Sequence, residues 1–138
     1  ANLQDKLIRL AMVDFAGSTS PTKKAYARPR PFMVNGQKSC TPDWEAFLRQ
    51  DGSYPSGHSA IGWGAALILS DILPDKSAEL LARGQDYGDS RRICNVHWNS
   101  DILLGRTMAT NAYFQLKANA AFEADLMAAK AEMAEYRR

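Results

Sequence analysis

Hydrophobic positions recur at helical spacing near both ends of the chain, and a polar, turn-rich stretch separates them. Over residues 1–16, Leu3, Leu7, Leu10 and Ala11 share one face with Asp14, while Asp5, Lys6 and Arg9 lie opposite. That pattern predicts an amphipathic helix, with no clear N-cap at its start. The run GSTSP over residues 17–21 reads as a breaker, and residues 22–27 as a second, short helix. Pro29 and Pro31 then impose an extended path, because each disfavours the α region for its predecessor. Residues 32–54 carry turn signals at Asn35-Gly36, Thr41-Pro42 and Asp51-Gly52, which predicts a long loop with at most a short helix over 43–50. Residues 56–72 are apolar almost all round, the mark of a central buried helix, and Leu73-Pro74 ends it. A further helix is expected over 75–85, and an Ala- and Met-rich one over 100–136, broken near Asn119. No strand-like alternation is sustained. The expected class is all-α.

Length and charge narrow this picture. The 138 residues, 46% apolar and 23% charged, suit one globular domain. A net charge of 17 − 15 = +2 gives no electrostatic case for nucleic acid or a membrane surface as partner. The longest apolar run, AIGWGAALIL over residues 60–69, is ten residues, whereas a spanning helix needs roughly 20. The first residues, ANLQDKLIRL, lack the plan of a signal peptide and an initiator Met. Together with the uncapped first helix, this leads us to expect a chain that begins inside a larger fold.

Three segments concentrate anion-binding and proton-transfer groups. In KKAYARPRP, Lys23 and Arg30 are seven residues apart and can converge on one anion; the plainer reading is a solvated basic patch. In YPSGHSAIGWG, Ser56 and Gly57 stand where a helix begins, and free N–H groups of a first turn attract anions. Gly57 permits close backbone approach, and His58 can give or take a proton near neutrality. The plainer reading there is a Ser cap with an incidental His. In DSRRICNVHWNSD, His97 and Asp101 are spaced so that the carboxylate can hold one ring nitrogen and leave the other free as nucleophile or base. Arg91 adds a planar fork suited to a tetrahedral oxyanion. Here the plainer reading is a structural His–Asp pair. The two histidines are the only ones in the chain. Zinc-ligand spacings, a P-loop and a dinucleotide fingerprint are all missing from the sequence.

The three segments resemble the signature of the type 2 phosphatidic acid phosphatase and vanadium haloperoxidase superfamily. Lys23…Arg30-Pro31, Pro55-Ser56-Gly57-His58 and Ser90-Arg91…His97…Asp101 meet it at all eleven specified positions. The surrounding RPRPF, GSYPSGHS and SRRICNVHW are similar to the bacterial class A nonspecific acid phosphatases. The resemblance implies a helical bundle of that type, of which residues 1–138 are the single catalytic domain, as the C-terminal part without the N-terminal helices. It implies His97 as the nucleophile that forms a phosphohistidine, Asp101 as its orienting partner, and His58 as the general acid and then base. Lys23, Arg30, Ser56, Gly57 and Arg91 would hold the phosphoryl oxygens. No cofactor or metal is implied, although phosphate or vanadate would fit the site.

Cys40 and Cys94 fall where this soluble family tends to carry cysteines, and the resemblance implies that they pair. Arg92 and Asn95-Val96 depart from the close relatives; Arg92 is expected to face solvent, and Trp63 and Trp98 to pack in the core. The implied activity is periplasmic or secreted hydrolysis of small phosphomonoesters, with phosphotransfer, nucleotides or pyrophosphate left open. A vanadium-dependent haloperoxidase and a non-catalytic phosphate binder are the alternatives. A lipid phosphatase of the same superfamily would need spanning helices. A homo-oligomer, and a cleaved N-terminal chain that stays bound, are the further partners expected.

Overall fold

The computed structural model describes residues 2–138, and within them seven α-helices and no strand. They are α1 (Leu3–Tyr26), α2 (Pro31–Asn35), α3 (Glu45–Leu48), α4 (Gly57–Ile72), α5 (Ser77–Ile93), α6 (Asn99–Lys117) and α7 (Ala120–Tyr136). Short 3-10 turns at Pro42–Trp44 and Pro74–Lys76 lead into α3 and α5. The all-α expectation holds, and so does the apolar helix at the centre: α4 packs against α1, α5, α6 and α7. The core joins Leu7, Ala11 and Phe15 of α1 to Ile68 and Ile72 of α4, Tyr113 of α6 and Leu126 of α7. The break near Asn119 is also present, because that side chain accepts the Phe122 N–H at 3.1 Å and caps α7.

Three local expectations fail, one to a local cap and two to tertiary packing. Helix α1 does have a cap, since Asn2 accepts the Asp5 N–H at 2.8 Å. It also runs straight through the expected breaker at residues 17–21. The hydroxyls of Ser18 and Thr19 bond the carbonyls of Phe15 and Ala16 inside the helix, and Thr19 and Phe15 are buried. Pro21 removes one helical donor, but the carbonyl this frees is that of Gly17, which is exposed to water. The buried stripe is therefore Leu7, Ala11, Phe15 and Thr19, and Leu10 is 68% exposed. Helix α5 continues eight residues beyond the expected 85, to Ile93, despite two glycines and two aspartates among residues 84–89. Its Gly84 and Gly88 are buried, and α5 packs closely on α4. Tertiary contact overrides weak propensity there.

The long loop is more ordered than its turn signals suggest. Phe32 is buried in α2, which the sequence pattern missed. Asn35 and Asn95 exchange amide hydrogen bonds of 2.7 and 3.1 Å, and the Cys40 N–H donates to the Cys94 carbonyl at 3.2 Å. A disulfide joins Cys40 to Cys94. The loop is thereby fastened to the turn between α5 and α6, beside the third chemical segment.

Candidate active site

Helix α1 ends at Tyr26, Ala27 turns the chain through a left-handed conformation (φ 45°), and the backbone runs extended to Arg30. Lys23 and Arg30 thus converge by a turn, rather than as two rungs of one helix. Arg30 is 2% exposed. Its Nε donates to the carbonyls of Leu48 and Asp51 at 3.0 and 3.1 Å, and its Nη2 to Asp51 Oδ2 at 3.2 Å. Nη1 donates to the Val96 carbonyl at 3.2 Å and lies 3.1 Å from His97 Nε2. Lys23 Nζ donates to the Gly52 carbonyl at 2.8 Å and stands 3.8 Å from the same Asp51 oxygen. A Cβ on Gly52 would fall 2.8 Å from the Lys23 carbonyl and 3.2 Å from Ala27 Cα, so only glycine lets the loop close against α1 here.

His97 precedes α6, and Asp101 sits in that helix's first turn. The pair is therefore not two rungs of one helix. Asp101 Oδ2 accepts the Trp98 N–H at 2.7 Å, satisfying a free donor of the helix start, and lies 3.2 Å from His97 Nδ1. Because Asp101 accepts at Nδ1 and Arg30 donates toward Nε2, the network assigns the proton to Nδ1 and the lone pair to Nε2. The other carboxylate oxygen, Oδ1, accepts from Arg28 Nη1 at 2.9 Å. Arg28 also donates to Ser100 Oγ, with its guanidinium 5.4 Å from the Trp98 ring and 5.7 Å from that of Tyr54.

Sequence reasoning passed over Arg28 and Asp51, which hold Asp101 and Arg30 respectively. Nothing marked Arg28 within a basic run, and its partner is 73 residues away. Trp98 is not core: its indole N–H bonds the Pro29 carbonyl at 2.8 Å while its ring carries Arg28. Trp63 is partly buried against the core and donates to Thr110 Oγ1. Arg92 is exposed, as expected.

Lys23, Arg30, Gly57, His58 and His97 line one cavity of about 290 Å³. Gly57 begins α4, and a Cβ there would point toward Thr19 Oγ1 and Lys23 Cε, into ordinary contact. Ser56 caps α4, its Oγ accepting the Ser59 N–H at 3.1 Å and the Ser59 hydroxyl at 2.9 Å, which leaves its own O–H to donate. The Ser56 N–H donates to the Asp101 carbonyl at 2.9 Å. Gly105 makes this junction possible, for a Cβ there would come within 2.5 Å of the Ser56 carbonyl. Arg91 stands outside the cavity wall. Its carbonyl accepts the His97 N–H at 3.2 Å, its Nε is buried without a partner, and its charge is felt at His58.

The electrostatics follow from burial among like charges. Burial, reinforced by Arg30, lowers Lys23 to about 8, against the pull of Asp51. His97 is pushed down to about 4, by burial first and by Arg30 and Lys23 after it, outweighing Asp101. His58 is the more open of the two rings; its partial loss of solvent, then Arg91, Arg30 and Lys23, take it to about 4 as well. Burial alone would raise Asp101, but hydrogen bonds from His97 and the Trp98 N–H, and the Arg28 charge, hold it below the usual carboxylate range. Burial and the fixed cations thus favour the neutral form of both imidazoles. That arrangement suits attack on an anionic, tetrahedral centre. Among the described residues no cluster of three acidic, His or Cys side chains is placed to hold a metal ion, and no helix is long and apolar enough to cross a membrane.

Comparison with known proteins agrees with this chemistry. Residues 7–114 match the model of the PAP2 superfamily. The chain is 41% identical to a non-specific acid phosphatase of Providencia stuartii over 129 residues, which is 92% of this chain and 52% of that protein. It is 40% identical to a non-specific acid phosphatase of Salmonella typhimurium over 116 residues (84% and 46%), and 39% identical to an acid phosphatase of Zymomonas mobilis over 133 residues (96% and 49%). The chain spans about half the length of these relatives. The match over most of its own length, with both histidines and Asp101 inside the matched region, shows that this chain belongs to the PAP2 superfamily.

Proposed function

We propose that the protein is an acid phosphatase that hydrolyses small phosphate monoesters through a phosphohistidine at His97. The observation that carries this reading is the held imidazole, with Nδ1 3.2 Å from Asp101 and Nε2 turned toward Arg30 at 3.1 Å. In the first step the Nε2 lone pair attacks phosphorus, and the bond from phosphorus to the ester oxygen breaks. The leaving oxygen takes a proton from His58, and the positive charge that develops on the His97 ring faces the Asp101 carboxylate. In the second step His58 takes a proton from water, the water oxygen attacks phosphorus, and the P–N bond breaks. Phosphate leaves, and both histidines return to their starting forms. Lys23 and Arg30, with the Ser56 hydroxyl and the Gly57 N–H, hold the phosphoryl oxygens, and Arg91 adds its positive charge from behind the wall, so most of the rate comes from positioning and fixed charge.

Burial first, and then Arg91, Arg30 and Lys23, depress His58; a dianion in the cavity offsets the charges, so His58 takes its proton from solvent more readily in the bound complex, and an acidic optimum follows. The scheme asks nothing of a metal, and chelator is expected to leave the rate unchanged. The disulfide and the relatives' chemistry support an oxidising compartment such as the periplasm. Rapid-quench labelling with a radiolabelled phosphomonoester tests the mechanism. The expected product is an acid-labile, base-stable phosphoprotein that His97→Ala abolishes; label on another residue, or turnover without label, overturns the scheme.

A further inference from the structure

The cavity has two chemical characters. Lys23, Arg30, His58 and His97 supply its polar lining, and Ala16, Phe47, Leu48 and Ile61 its apolar lining. Phe47 is 63% exposed, and beside it Trp44 is 62% exposed. The two rings meet edge to face, with centroids 6.3 Å apart and planes at 88°. One exposed hydrophobic side chain needs no explanation. Two adjacent aromatic rings, one of them lining the wall that carries both histidines, form a surface ready for a ligand.

The backbone beneath this surface is held to the cavity by hydrogen bonds. Leu48, the residue after Phe47, accepts Arg30 Nε through its carbonyl, and Glu45, on the same turn of helix, accepts the Ser39 N–H at 2.7 Å. The backbone that carries Phe47 is therefore tied to Arg30, and a phosphoryl group held by Arg30 shares its cavity with the Phe47 ring. Phe47 is the largely exposed apolar residue of this lining, so it is available to the organic part of an ester that projects toward solvent. The charged side chain there, Asp51, is half-exposed with one oxygen on both Arg30 and Lys23, and it opposes a second anionic group on the substrate.

We propose that Phe47, backed by Trp44, is a leaving-group subsite that selects phosphomonoesters bearing a planar, uncharged aromatic ring. This rests on the phosphatase reading only for the word ester, since the subsite is also legible by binding alone. The test is calorimetric titration with phenylphosphonate and methylphosphonate, which carry the phosphoryl charge but cannot be hydrolysed. The protein is expected to bind phenylphosphonate about tenfold more tightly, the scale of an aromatic contact. Phe47→Ala is expected to abolish that preference, Phe47→Tyr to keep it, and inorganic phosphate to bind all three proteins alike. Equal affinity for the two phosphonates, or a preference that survives Phe47→Ala, overturns the subsite. So does a parallel loss of phosphate affinity, which would place Phe47 in support of Arg30.

Turnover of phenyl phosphate and glycerol 2-phosphate completes the comparison. Phe47→Ala is expected to lower kcat/KM about tenfold for the first and less than twofold for the second. A protein that binds phenylphosphonate selectively yet hydrolyses neither ester would overturn the phosphatase reading and leave the subsite standing.

Discussion

Removing the disulfide should cost the protein a large part of its stability while leaving the site nearly intact. Cys40 and Cys94 are separated by 54 residues. The chain-entropy relation for a loop of that length gives about 4 kcal/mol of stabilisation, exerted on the unfolded chain. A domain of this size is held by roughly 5–15 kcal/mol, so the loss is a quarter or more of the total. In the folded protein, other bonds hold the same junction. The Cys40 N–H still reaches the Cys94 carbonyl, Asn35 still pairs with Asn95, and the Phe32 N–H still reaches the Asn95 carbonyl.

The expected result for Cys40→Ser/Cys94→Ser is a fall of about 4 kcal/mol in urea denaturation, or roughly 10–20 °C in Tm, with a raised urea m-value because the unfolded chain without the crosslink is more expanded. Wild-type protein in reductant should match the double variant, and the variant itself should ignore reductant. Well below its melting temperature the variant should bind phosphate within about twofold of wild type. An unchanged midpoint would refute the entropic reasoning. So would an unchanged midpoint joined to lost phosphate binding, which would make the crosslink a positioner of Arg30 through the loop.

Three further outcomes follow from the site. Arg28→Met removes a charged hydrogen bond to Asp101, and it should lower kcat about tenfold while the inhibition constant for phosphate stays within twofold; Arg28→Lys should recover part of the loss in steady-state assays. Gly105→Ala forces a methyl against the Ser56 carbonyl and should destabilise by about 1–3 kcal/mol in thermal melts, with activity falling as Asp101 shifts from Ser56. The third concerns pH. The folded-state pKa of His97, about 4, lies below its ordinary 6.5, so the unfolded chain binds the extra proton. Its contribution, up to about 3 kcal/mol, is therefore present above pH 6.5 and lost as pH falls through 4. His58 is depressed over the same range, so His97→Gln should reduce the slope of urea midpoints between those limits by about half and leave the His58 share; an equally steep pH dependence in the variant would place the titrating group elsewhere.

The reach of local geometry decides which of these residues could be seen in the sequence. His97 and Asp101 are four positions apart and meet in the turn that starts α6, so their spacing carried the contact, although as a helix cap rather than as two rungs of a helix. Ser56 and Gly57 were legible for the same reason: a cap and a first turn are built by neighbours. The breaker at residues 17–21 misled because propensity is a sum of small local terms, whereas Phe15 and Thr19 are fully buried against other helices. Helix α5 ran on past its glycines because close packing on α4 favours small residues there.

Arg28 and Asp51 were invisible for a deeper reason. Their role is to hold charges already chosen by the signature, and their partners lie 73 and 21 residues away. A motif can therefore name the nucleophile and the cations that receive phosphate, and still leave unsaid what fixes their charge and direction. In this protein that task falls to one arginine clamped between two aromatic rings, and to one carboxylate shared by Arg30 and Lys23. Since Asp51 already bridges the cations a phosphoryl group must engage, an incoming anion has to displace it from Lys23 or Arg30 or share them with it. The affinity of the site is then a difference between two anions' claims on the same cations, which a count of the signature's positive charges overstates.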